Sequence, residues 1–134
     1  MAKQDKIVAG ILATHGSLGI VWTLWMASTH GNPPVFLLSN LALAIAGIAA
    51  GLGCLKGKRW AAYLGLGFWA IQLFHVLTPE FQFSFTLGLN VVVSAGWYKS
   101  GELGINLFAL VMLIWLACRM GSPNSALHRA HATA

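Results

Sequence analysis

The sequence predicts an all-α integral membrane protein, a bundle of four transmembrane helices with a small outer β-hairpin between the third and fourth helices. The composition is the first reason: of the 134 residues, 57% are hydrophobic and 8% are charged, whereas soluble domains carry about 25% charged residues. The second reason is a set of four long apolar stretches, and the third is a biased distribution of basic residues. The composition excludes a soluble domain, a disordered chain and a nucleic-acid-binding module, so the expected partner is the lipid bilayer and not a nucleic acid.

The four apolar stretches are close to the length that a bilayer requires. A crossing helix needs about 20 mostly apolar residues, because the hydrocarbon core is about 30 Å thick and a helix rises about 1.5 Å per residue. Together they make one domain over residues 1–120, with helices predicted at 7–27, 35–55, 61–77 and 103–118. The first is interpreted as an uncleaved anchor, because its apolar run exceeds the roughly 7–15 residues of a signal peptide.

Basic residues set the predicted orientation, since cytoplasmic connections are enriched in Lys and Arg. Two lysines precede the first helix, three basic residues lie in the turn 56–59 and two arginines follow the fourth helix. The other two connections hold only Lys99. Both termini are therefore predicted to be cytoplasmic, with the chain in the cytoplasmic (inner) membrane. Residues 121–134 are predicted to form a mobile cytoplasmic tail.

The outer segment 79–100 has the alternation of a β-hairpin. Apolar residues occupy the odd positions from 81 to 89, with mostly polar residues between them. A period of two residues is typical of strands, and the Gly and Asn at 88–90 favour a turn. Two alternatives remain open for this segment: a fifth, polar span, and a re-entrant or interfacial helix.

Small residues predict how the second and third helices pack. In lipid, close approach of small side chains and interhelical hydrogen bonds hold a bundle together. Helical spacing, counted outward from the turn 56–59, pairs Cys54 with Ala61 and Gly51 with Gly65. Gly47 lies on the same face as Gly51, so the expected helix-packing residues are Gly47, Gly51 and Gly65.

A layer of polar residues is predicted in the outer half of the bundle. It contains Asn40, Gln72, His75 and Asn106. The same register opposes Asn40 and His75, both about 21 Å above the turn. One interpretation is interhelical hydrogen bonding, and the other is a ligand or conduction site with Glu80 as a possible assisting group.

His15 is expected to be neutral and bonded to a neighbouring helix. It lies away from the small-residue strip of the first helix, which also raises self-association or another membrane protein as a partner. A bis-histidine haem is disfavoured, because His15 and His75 differ by about 9 Å in height. No closely spaced His, Cys, Asp or Glu set suggests a metal, so no catalytic residue, metal or cofactor is assigned.

The expected function is that of a small non-enzymatic membrane subunit, with an accessory or scaffold role exerted through protein or lipid contacts. One alternative is a transporter or channel for a neutral or weakly polar solute through the polar layer. The other is a membrane enzyme that acts on a lipid or quinone with His75 and Glu80.

Overall fold

A computed structural model describes residues 2–31, 33–79, 82–84, 87, 91–97 and 100–129. The described chain is mostly helical, with five helices and one antiparallel sheet of four strands. The elements in chain order are α1 (Lys3–His30), α2 (Pro34–Leu55), α3 (Arg59–Leu73), β1 (Phe74–Leu77), β2 (Gln82–Ser84), β3 (Val92–Trp97), β4 (Gly101–Asn106), α4 (Leu107–Gly121) and α5 (Ala126–Arg129).

The first two helices are the longest elements, and both lie where the sequence predicts helices. The segments Lys3–Thr29 and Pro34–Leu55 are each long and apolar enough to cross a membrane. The turn between them uses Gly31 at φ 58°, a left-handed conformation that glycine adopts without steric conflict. A proline at the start of α2 is tolerated because the first helical amides have no partner within the helix.

The third and fourth helices are shorter than predicted. The helix predicted over 61–77 ends at Leu73 and continues as β1, and the helix predicted over 103–118 begins only at Leu107, after β4. The side chain of Asn106 fixes the start of α4 by accepting hydrogen bonds from the amides of Phe108 and Ala109, as N-cap residues do. Hydropathy did not reveal these boundaries because short apolar runs suit a strand as well as a helix.

The sheet has the strand order β2-β1-β4-β3. Two of its strands, β2 and β3, lie within the predicted hairpin segment 79–100, but they do not pair with each other. Instead β2 pairs with β1 and β3 pairs with β4. The hairpin prediction was therefore wrong in its pairing, because β1 and β4 extend from packed antiparallel helices and already lie side by side. The predicted turn at 88–90 lies outside the described residues.

The two faces of the sheet differ in chemistry. Cross-strand partners share a face, so Phe74, Ile105 and Val93 form one apolar row. Val76, Leu103 and Ala95 form the next row on that face. It is the exposed face: Val93 is 60% exposed, Phe74 51% and Leu103 49%. Antiparallel sheets of soluble proteins commonly bury their apolar face, so this sheet has the reverse arrangement.

The other face of the sheet is mixed in composition, with Leu77 and Val92 among polar and small residues, and it is buried at β4 but exposed at Ser94. His75, Gly104 and Ser94 are cross-strand neighbours on it. Gly104 and Asn106 are buried. The backbone comes close at Gly104, where an added Cβ would lie 2.8 Å from a Val92 methyl group.

The register of α2 against α3 is one residue away from the predicted one. Gly53 contacts Ala61, and an added Cβ on Gly65 would lie 3.8 Å from the Ala50 Cβ. One residue corresponds to about 100° around a helix. Gly51 consequently faces α1 and not Gly65, and its added Cβ would lie 2.5 Å from the Ala13 amide nitrogen.

The other two glycines of the predicted packing set also lie at close helix contacts. An added Cβ on Gly47 would be 2.6 Å from the Phe68 ring of α3. On Gly65 it would be 2.8 Å from a Leu12 methyl group of α1 and 2.9 Å from a Leu116 methyl group of α4. The core thus lies where α1, α3 and α4 meet, with Leu12, Trp69 and Leu116 fully buried in it.

Within the segment predicted to be a mobile tail, Ser125 and Ala126 contact the start of α1. Asp5, buried in the first turn of α1, accepts hydrogen bonds from Arg119 Nε (2.7 Å), Ser125 Oγ (2.9 Å) and the Ala126 amide (3.0 Å). Ser125 and Leu127 are buried as a result. The sequence analysis did not predict this contact, which depends on the one carboxylate of the first helix, and the mobility of the tail stays a prediction. Residues 130–134 lie outside the described chain.

Candidate functional site

The best-defined polar site of the bundle is centred on His15 and Gln72. His15 is buried on α1, and its Nε2 lies 3.3 Å from Gln72 Oε1 on α3. The sequence-based expectation that His15 bonds a neighbouring helix is therefore confirmed. The partner is Gln72, which the sequence analysis placed in a different group of residues.

Gln72 has hydrogen bonds to three parts of the chain. Its Nε2 donates to the Phe68 carbonyl (3.2 Å), and its Oε1 accepts from the Leu87 amide (3.2 Å). These two backbone partners fix which end of the amide is the acceptor. His15 must then donate from Nε2, so the neutral imidazole carries its proton on that nitrogen.

Three aromatic rings surround the His15 imidazole. The ring centroid of Trp69 is 4.8 Å away, that of Phe108 is 5.6 Å away at 21° to the imidazole plane, and that of Phe68 is 5.9 Å away edge-on. Trp69 contacts both other rings, at 5.0 and 5.7 Å. This enclosure excludes water and suits a neutral histidine.

Leu87 closes the site on the side of the sheet. The residue is buried, and its side chain packs close to Gly19 of α1. Its backbone amide donates a hydrogen bond to Gln72 and so links Leu87 to α3. The Gln72 side chain on α3 is therefore hydrogen-bonded to His15 of α1 and to the backbone of Leu87.

The structure does not assemble the predicted polar layer as one network. Within the described part of the chain, no hydrogen bond joins any two of Asn40, Gln72, His75 and Asn106. Asn106 instead accepts from the amides of Val91, Phe108 and Ala109, at 3.4, 3.1 and 3.3 Å. Asn40 is buried on α2, and Glu80 lies outside the described residues.

The placement of His75 removes the basis of the helical register that opposed it to Asn40. The predicted register assumes a helix as far as position 77, but His75 lies in β1. Its Nδ1 is buried without a partner, as is Trp69 Nε1, among the residues that the structure describes. These two nitrogens are the unused polar groups near the junction of α3 and the sheet.

No family model, no curated protein and no solved structure matches the chain. Over the described ranges, no three His, Cys, Asp or Glu residues lie close enough together to hold a metal ion. Cys54 is buried, Cys118 is exposed, and neither forms a disulfide.

Sequence reasoning missed the pairing of His15 with Gln72, although a signal for it exists. Counted from the predicted inner ends of their helices, the two residues lie about 12 and 17 Å up. Uncharged polar residues at similar depth in apolar helices favour a hydrogen bond. The contribution of Leu87 had no such signal, because Leu87 lies outside the predicted helices, where helical spacing gives no depth.

Proposed function

We propose that the chain is a small non-enzymatic integral membrane protein that acts through contacts with lipid and with membrane-embedded chains, a second copy included, in an accessory or scaffold role. One observation carries the proposal: large apolar side chains cover the outside of both the helices and the sheet. On α1 and α2 the most exposed are Val21, Val35 and Leu38. A continuous apolar exterior of this kind is typical of a membrane or protein interface.

The buried polar groups support the same proposal. His15 bonds Gln72, Asn106 caps α4 and Asp5 pairs with Arg119. Apolar side chains outside with hydrogen-bonded polar groups inside are what a hydrocarbon solvent favours. No arrangement of nucleophile, base and oriented acid is seen among the described residues, so contact is a better-supported role than catalysis.

Element lengths support four crossings. At about 1.5 Å per residue, α1 and α2 exceed the thickness of a hydrocarbon core of about 30 Å. The 15 residues of α3 and of α4 give only about 22 Å each. Adding β1 to α3, or β4 to α4, brings each segment to about 35 Å or more, so we propose that these two crossings are helix–strand segments and that the sheet lies in the outer half of the bilayer.

The basic residues support the proposed orientation. The Asp5–Arg119 ion pair joins the start of α1 to the end of α4. Gly57, in the basic turn between α2 and α3, lies beside Ala126. The basic segments thus gather at one end of the bundle, and the bias of cytoplasmic connections toward Lys and Arg favours that end as the cytoplasmic side of the inner membrane.

The proposal is tested by extraction and crosslinking. We expect the full chain to stay in the membrane after an alkaline carbonate wash, and to crosslink in native membranes to itself or to another membrane protein. Release by carbonate contradicts the membrane assignment. A monomer in mild detergent that forms no crosslinks in the membrane contradicts the contact role.

A second candidate function is passage of a neutral or weakly polar solute through the predicted layer of Asn40, Gln72, His75 and Asn106. The observation in its favour is the pair of buried nitrogens without partners, Trp69 Nε1 and His75 Nδ1. Flux into proteoliposomes that is lost in His75→Ala, with unchanged unfolding behaviour, supports it. Equal flux in empty liposomes and in liposomes with wild-type protein rejects it.

A further inference from the structure

The sheet has two edge strands, β2 with three residues and β3 with six, and β3 is the longer edge. Its neighbour on one side is β4, and no described strand pairs with its other side. The Leu107 amide donates to the Val91 carbonyl at 2.8 Å, which fixes the phase of the hydrogen bonds between the two strands. In an antiparallel pair the hydrogen-bonded positions alternate, so the amides and carbonyls of Val92, Ser94 and Gly96 point away from β4.

These outward groups have no partner among the described residues. The three residues present three amides and three carbonyls in one row. Proteins usually protect such an edge with a charged side chain, a proline or a bulge. The strand Val92–Trp97 contains no charged residue and no proline, and its register with β4 is regular over all six residues.

The proposed position of the β3 edge inside the bilayer makes unpaired backbone groups unfavourable. This inference rests on the proposed membrane placement, in which the exposed apolar face of the sheet contacts lipid. An unpaired strand edge is unfavourable against hydrocarbon, because lipid offers no hydrogen bonds, and the cost grows with the number of unpaired groups. The six-residue edge of β3 therefore favours pairing with another strand more than the three-residue edge of β2 does. An uncharged strand presents no charge repulsion to a copy of itself.

We propose that β3 pairs with β3 of a second copy, antiparallel, about a two-fold axis at Ser94. Ser94 then faces the partner's Ser94, and Val92 faces the partner's Gly96. This register uses all six outward groups of each strand. It also places Val93 beside the partner's Ala95, so the apolar face continues across the dimer without interruption.

A crosslinking experiment tests the register in the native membrane. The exposed Cys118 is first changed to Ser, and Ser94→Cys or Ala95→Cys is added. In a hydrogen-bonded antiparallel pair the facing Cα atoms are about 5.5 Å apart, within the range of a disulfide. We expect mild oxidation to give a covalent dimer with Ser94→Cys, and only monomer with Ala95→Cys or with Cys118→Ser alone.

A second pair of variants tests the backbone bonds. Ser94→Pro removes an amide that points away from β4, so it removes an interface hydrogen bond and leaves the fold intact. A symmetric dimer loses two such bonds. We therefore expect the dissociation constant of the Ser94→Pro dimer in detergent to rise at least about tenfold. Ser94→Ala, the matched control, keeps the amide and should dimerise like the wild type.

The outcomes separate this inference from the function on which it rests. A wild type that self-associates while Ser94→Cys gives no covalent dimer overturns the β3 interface but leaves the contact role in place. Equal dissociation constants for Ser94→Pro and Ser94→Ala do the same. Release of the wild type by carbonate overturns the membrane assignment, and this inference with it.

Discussion

At the scale of single residues, Gln72 links two helices and the backbone at Leu87 through three hydrogen bonds. Its side-chain amide forms hydrogen bonds with His15 on α1, with the Phe68 carbonyl of its own helix and with the backbone amide of Leu87. A buried donor that loses its acceptor keeps its full desolvation cost. Replacing Gln72 would leave two such donors, on His15 and Leu87.

We predict that Gln72→Leu lowers the free energy of unfolding by about 2–4 kcal/mol, because two buried donors lose their acceptor. Asn40→Leu is the matched control, since Asn40 is a buried amide of the neighbouring helix with no side-chain hydrogen bond among the described residues. Unfolding in mixed micelles measures both. Equal decreases in the free energy of unfolding would show that the Gln72 hydrogen bonds do not contribute to stability.

Asp5 acts at the other end of the bundle. Its two carboxylate oxygens hold Arg119, Ser125 and the Ala126 amide. We predict that Asp5→Ala weakens the docking of residues 122–129 by about 2 kcal/mol, as expected for charge-assisted bonds. The undocked fraction then rises about 30-fold.

Amide exchange over residues 122–129 measures this undocking. Lys3→Ala is the control, because Lys3 is an exposed residue of the same helical turn. Exchange that is unchanged in Asp5→Ala would mean that Leu127 packing alone holds the segment.

At the scale of elements, the position of a glycine decides which helix it allows to approach. Gly51 faces α1 because α2 is rotated by one residue from the register that the turn predicts. We predict that Gly51→Ala destabilises by about 1–3 kcal/mol, since the new Cβ meets the Ala13 backbone. Gly10→Ala should be neutral or slightly stabilising, because nothing lies within 4 Å of an added Cβ there.

Unfolding of both variants in the same micelles gives the comparison. If Gly51→Ala is as stable as Gly10→Ala, Gly51 makes no close helix contact, which contradicts both the contact with Ala13 and the predicted Gly51–Gly65 contact.

Helix existence was predictable from the sequence, and helix ends were not. Long apolar runs predict α1 and α2, because no other element keeps that composition over more than 20 residues. The change from helix to strand at Phe74 has no comparable signal. It depends on pairing with Ile105, 31 residues later, and on the Asn106 cap of α4, both of which are tertiary facts.

At the scale of the whole molecule, composition predicted an apolar exterior but not its extent. The exposed face of the sheet was not foreseen, because β1 and β4 were predicted as parts of helices at 61–77 and 103–118. The candidate site was predictable only in part. Gln72 and Asn106 are buried and hydrogen-bonded, but their partners are backbone amides and His15, which the spacing of polar residues along separate helices does not reveal.

The exterior as a whole gives one physical description of the molecule. Exposed apolar side chains lie on both the helices and the sheet, and His15, Gln72 and Asn106 form hydrogen bonds inside. We propose that lipid contacts the apolar surface of the helices and that of the sheet at the same depth in the bilayer. It requires β4, an interior strand of the sheet, to contact hydrocarbon through Leu103.

Collision accessibility of spin labels tests whether the sheet contacts lipid. Labels at Leu103 on β4, at Val21 on α1 and at Lys58 in the basic turn, each on a Cys118→Ser background, are compared in lipid vesicles. We predict that oxygen outcompetes a water-soluble nickel complex at Leu103 and Val21, and that the order reverses at Lys58. Preferential nickel access at Leu103, with oxygen still favoured at Val21, would place the sheet in water and contradict the account.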